Sequence, residues 1–134
     1  MAHHTRSGRR GFSLVELMIV MAVISILVSV AVPQYNKALI RSKETILKQN
    51  LFTLRTTIDE YTYDKGKAPQ NLEDLVSAGY IRKVPIDPMT GSDRSWKVIM
   101  EDASNAVNQS EPGIFDVRST SDKQSLEGTA YAEW

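Results

Sequence analysis

From Phe12 to Val32 the chain is almost unbroken hydrocarbon, interrupted only by Ser13, Glu16, Ser25 and Ser29. A run of this length predicts a helix able to cross a bilayer core. Beyond it the pattern changes. Ile40, Leu47, Leu51, Leu54, Ile58 and Tyr61 recur at threes and fours once Glu44 is allowed as a polar interruption, with Lys43, Lys48, Arg55, Asp59 and Glu60 between them. This spacing predicts one amphipathic helix whose apolar stripe packs on a globular domain, since it is too short for the many heptads of a free coiled coil. Pro33 lacks a backbone donor and predicts a kink or local melting where the two patterns meet, and Gly66 predicts the helix end. Further on, Asn71 is placed to cap a short helix over Leu72–Val76 that Gly79 closes. Pro85, Pro88 and Gly91 mark a turn-rich connection. Ser95–Met100 and Gly113–Arg118 read as two strands of a small antiparallel sheet, separated by a polar loop from Glu101 to Pro112. The predicted fold class is α+β, with a long N-terminal helix and a small head.

Charge gives this layout a direction. Arg6, Arg9 and Arg10 precede the apolar run and no Lys or Arg follows it before Lys37. The positive-inside rule therefore leaves the N-terminus cytoplasmic and sends the head across the membrane. The chain of 134 residues balances 16 basic against 16 acidic side chains; setting aside the three N-terminal arginines leaves 13 against 16, a formal −3. It lacks the basic excess of a nucleic-acid binder. There is no cysteine, and His3 and His4, the only histidines, precede the apolar run. Nothing beyond that point offers a thiol or an imidazole for catalysis, and no glycine-rich phosphate loop is present, so the residues nominate no enzyme.

Glu16 is the anomaly. A carboxylate in an apolar helix costs a few kcal/mol in lipid and needs a partner. It stands five residues after Gly11, which ends a short basic leader and is followed by Phe12. Gly11, Phe12, Glu16 and a proline twenty-one residues after Phe12 together resemble the class III signal of type IV pilins and type II secretion pseudopilins. The resemblance implies cleavage between Gly11 and Phe12 by a prepilin peptidase and N-methylation of Phe12. It also implies pairing of Glu16 with the N-terminal ammonium of a neighbouring subunit. Two alternatives leave Gly11-Phe12 unexplained: an ordinary secretory signal, cleaved after Ser29-Val30-Ala31, and a plain membrane anchor with an incidental acid.

The head carries a second resemblance. Tyr61, Gly66, Pro69, Leu72 and Leu75, then Gly79-Tyr80-Ile81 and Val84-Pro85-Ile86-Asp87-Pro88, are similar to the major pseudopilin of type II secretion. Two departures stand out: Met89-Thr90-Gly91 replaces the family's Trp-Gly, and the Glu101–Pro112 loop is long. The resemblance implies a type IV pilin-like fold, with a leader over 1–11, a membrane and polymerisation helix over 12–33, and a periplasmic head over 34–134. It also implies a structural role. The chain would be held in the bacterial inner membrane and then polymerised into a pseudopilus that pushes folded proteins across the outer membrane. Its partners would be further copies of itself, minor pseudopilins, the prepilin peptidase and the inner-membrane assembly platform. A type IV pilin serving adhesion, motility or DNA uptake is the alternative within this class, and a membrane-anchored binding domain is the alternative outside it. Finally, the family's C-terminal calcium site maps onto Asp116, Ser119 and Asp122. An ordinary solvated loop is the competing reading there, because the family's glycine-rich stretch is reduced to Gly128 and its later aspartate has no clear counterpart.

Overall fold

A computed structural model describes residues 11–134. In chain order its elements are α1 (Leu14–Lys65), α2 (Glu73–Ser77), β1 (Lys97–Met100), β2 (Ile114–Arg118) and a closing 3-10 turn (Tyr131–Glu133). The leader arginines and both histidines lie outside the described residues.

The described part of the N-terminal unit, as far as Lys37, is helix from Leu14 onward. Ser13 caps it: its hydroxyl accepts the Glu16 amide at 3.1 Å while its carbonyl accepts that of Leu17, satisfying donors that a helix start leaves free. Ser25 and Ser29 return their hydroxyl protons to the carbonyls of Met21 and Ile26, both at 2.7 Å. With its few hydroxyls bonded internally, the segment is suited to a medium without water. Pro33 sits inside α1, which is helical on both sides of it. Its ring removes the donor that would meet the carbonyl of Ser29 four residues earlier, which is the site for a bend.

The second unit, Ala38–Trp134, contains the core. Leu47, Leu51, Leu54 and Ile58 are buried along one side of α1, and Tyr61 is partly buried at its end. The predicted stripe is therefore a packing face. Ile40 does not join it and is exposed, because α1 becomes buried only from Glu44 onward. Fully burying each leucine contributes about 1.5–3 kcal/mol. α1 ends at Lys65, and Gly66 turns the chain with φ 68°, a conformation that side chains resist.

Asn71 and Asp74 cap α2 reciprocally. The Asn71 side chain accepts the Asp74 amide at 3.0 Å, and the Asp74 carboxylate accepts the amides of Gln70 and Asn71 at 2.9 and 3.2 Å. Leu75 on this helix and Trp96 just before β1 complete the core beside the leucines of α1. The Trp96 ring N–H donates to the Pro85 carbonyl at 2.8 Å, so the indole is buried without an orphaned donor.

β1 and β2 pair antiparallel, Val98 opposite Val117, with an irregularity between Ile99 and Met100. A two-stranded sheet is marginal alone. Ile114 and Val117 supply the missing stability by entering the core with the α1 leucines. Gly113 permits this approach: a Cβ there would lie 2.5 Å from the Ala68 carbonyl oxygen and 2.6 Å from that of Pro69.

Candidate assembly site

Phe12 is 82% exposed, and every residue from Gly11 to Lys43 is exposed in the isolated chain. An apolar surface this continuous is not stable in water and requires lipid or protein around it. α1 meets the length and composition needed to cross a membrane. Glu16 lies in its first turn. A carboxylate is favoured there by the unpaired amides and the positive end of the helix dipole, which offsets part of its cost in an apolar setting. The Ser13-Leu14-Val15-Glu16 spacing is also that of a capping box, a local signal the hydrophobic reading passes over. Gly11, Phe12 and Glu16 thus gather at one helix start, while Pro33 lies about five turns further on.

Within the head, α1 presents polar groups to the C-terminal segment. Glu44 is 7% exposed, and one oxygen of its carboxylate accepts both the Tyr131 hydroxyl at 2.8 Å and the Leu126 amide at 2.9 Å. Burial, and then the bond to Glu44, push the Tyr131 phenol up to about 12. Arg55 donates to the Asp116 carboxylate at 2.7 Å and to the carbonyls of Val117 at 3.0 Å and Trp134 at 2.5 Å. Between these two anchors the Lys48 ammonium lies 4.8 Å from the centre of the Trp134 ring. Glu44 read as an interruption in the sequence because its acceptors' partners are 82 and 87 residues away.

The residues proposed for calcium do not converge. One Asp116 oxygen is taken by Arg55 and by the Val117 amide, and the other lies 3.9 Å from the Arg118 guanidinium. Ser119, fully buried, donates to Asp87 at 2.6 Å. Asp122 is exposed. Among the described residues no three acidic or histidine side chains are grouped as metal ligands. A calcium ion takes six to eight oxygens, and this donor set, with two arginines beside its only strand carboxylate, does not fit one.

A capped apolar helix that runs on to pack against a small antiparallel sheet defines the chain as a pilin-like α+β subunit. Residues 6–32 match the family described as the prokaryotic N-terminal methylation motif. Over 131 residues the chain is 32% identical to type II secretion system core protein G of Escherichia coli (strain K12), covering 83% of this chain and 80% of that protein. It is 35% identical over 105 residues to core protein G of Klebsiella pneumoniae, covering 63% and 71% of the two chains. The type IV major fimbrial protein FimA of Dichelobacter nodosus is 38% identical over 65 residues, but these cover 48% of this chain and 41% of that one. No solved structure gives a significant match. The chain belongs to the type II secretion system core protein G family, the major pseudopilins, which are structural subunits and not enzymes.

Proposed function

We propose that this chain is stored in the inner membrane by its N-terminal helix and polymerises into a periplasmic pseudopilus that helps drive folded proteins across the outer membrane. The observation that carries this reading is the fully exposed apolar half of α1 with Glu16 in its first turn. Lipid covers that surface in the stored form, and neighbouring copies cover it in the filament. Cleavage between Gly11 and Phe12 by a prepilin peptidase creates an ammonium on Phe12. Glu16 of an adjacent subunit pairs with that ammonium, which offsets the desolvation of both charges and selects one axial register. Pro33 lets the helix bend where it leaves the apolar region. Minor pseudopilins and the inner-membrane assembly platform are the remaining partners. No step of this function is routed through calcium.

Deleting the chain in its host and measuring both secreted enzymes and surface fibres tests the proposal. Secretion is expected to stop while surface fibres persist. Loss of fibres with secretion intact would establish the type IV pilin reading instead.

A further inference from the structure

An ion in the C-terminal loop would draw loop oxygens together and hold the last residues of the head in place. In this chain side chains of α1 already occupy that role. Glu44, Lys48 and Arg55 fall four and then seven residues apart, which sets them on one side of the helix. Glu44 holds Leu126 and Tyr131, Lys48 lies over Trp134, and Arg55 reaches β2 and Trp134 together. The segment between these anchors is bonded to itself. The Ser125 amide donates to the Thr129 carbonyl at 2.7 Å, the Tyr131 amide to that of Lys123 at 3.1 Å, and the Trp134 ring N–H to the Thr129 hydroxyl at 2.9 Å.

The electrostatics point the same way. Asp116 is the one carboxylate of β2, and the positive charge beside it is the Arg55 guanidinium, fixed by two further bonds to carbonyl oxygens. A divalent cation placed on Asp116 would meet Arg55 at close range and Arg118 behind it. It would also have to take Ser119 from Asp87.

We propose that the C-terminal segment of this head is fastened by a metal-independent clasp on α1, in which Arg55 takes the position beside Asp116 that a cation would otherwise fill. The family resemblance implies calcium at this loop; the side chains present replace it.

The test is thermal melting of the detergent-solubilised full chain in calcium, in magnesium at equal ionic strength, and in chelator, together with titration of calcium alone by calorimetry. The expected result is one midpoint in all three solutions and no heat of calcium binding. Arg55→Met, which keeps the aliphatic stem, is expected to lower the midpoint equally in all three. A midpoint for the unaltered chain that rises in calcium over magnesium would overturn the proposal, as would an Arg55→Met midpoint equal to that of the parent. If Arg55→Met fails to fold, the melting and calorimetry of the unaltered chain decide alone. Neither result bears on whether the chain forms a pseudopilus.

Discussion

The hydroxyl of Tyr131 donates to the Glu44 carboxylate at 2.8 Å in the buried interior of the head, joining residues 87 positions apart. The same carboxylate oxygen accepts the Leu126 amide, so one side chain of α1 satisfies a buried and a part-buried donor of the C-terminal segment. Removing it leaves both without a partner.

Glu44→Ala is therefore expected to destabilise the head by about 1–3 kcal/mol, the range for leaving a buried donor without a partner. Glu44→Gln retains an acceptor oxygen and is expected to cost less. Denaturant melts of the two variants against the parent check the order, and equal losses would show that the carboxylate geometry is not what holds the segment.

Tyr131 gives the head an alkaline weakness. Its pKa is raised in the folded state to about 12 from the usual 10. The folded chain therefore keeps the phenol proton at pH values where the unfolded chain has lost it. The associated stability is complete below about pH 10 and falls away as pH rises towards 12, by roughly 2–3 kcal/mol in all. Tyr131→Phe should be less stable at neutral pH yet show a shallower loss between pH 10 and 12. Parallel stability curves for the two proteins in that window would contradict the assignment.

Gly113 stands where β2 meets the Ala68–Pro69 backbone, and the Ile114 amide donates to the Pro69 carbonyl at 2.7 Å. Because a methyl at 113 would collide with backbone oxygens rather than a movable side chain, Gly113→Ala is expected to cost at least ~2 kcal/mol. A melting midpoint unchanged by the substitution would mean that the two segments separate freely.

Processing supplies a prediction of another kind. Intact-mass analysis of the mature chain from membranes should find Phe12 first and N-methylated, with the apolar helix retained. A mature chain starting at Val32 would identify an ordinary secretory signal and remove Glu16 from the protein altogether.

Glu16→Leu should leave membrane insertion unaffected, since it makes the helix more apolar. Cross-linked ladders of subunits should disappear, because the ammonium of Phe12 loses its counter-charge. Ladders as abundant as in the parent would show that the acid does not hold neighbouring subunits together.

Local chemistry made much of this protein legible from its sequence. The membrane helix, the amphipathic stripe from Leu47 to Ile58, the stop at Gly66 and the two strands all follow from residue spacing, backbone freedom and side-chain polarity within a few positions. β1 begins two residues later than its predicted run, at Lys97 opposite Arg118, and β2 one residue later, at Ile114 opposite Met100. Only the tertiary structure decided which polar side chains hold the head together, Glu44 buried and Arg55 and Asp116 part-buried. Glu44 read as a defect in a stripe, Arg55 as one of several solvent-facing charges, and Asp116 as a candidate ligand. Their meanings depend on partners 61 to 87 residues away. A buried charge is tolerated only where the fold delivers such a partner, and the sequence pattern around it is the same whether or not the partner arrives.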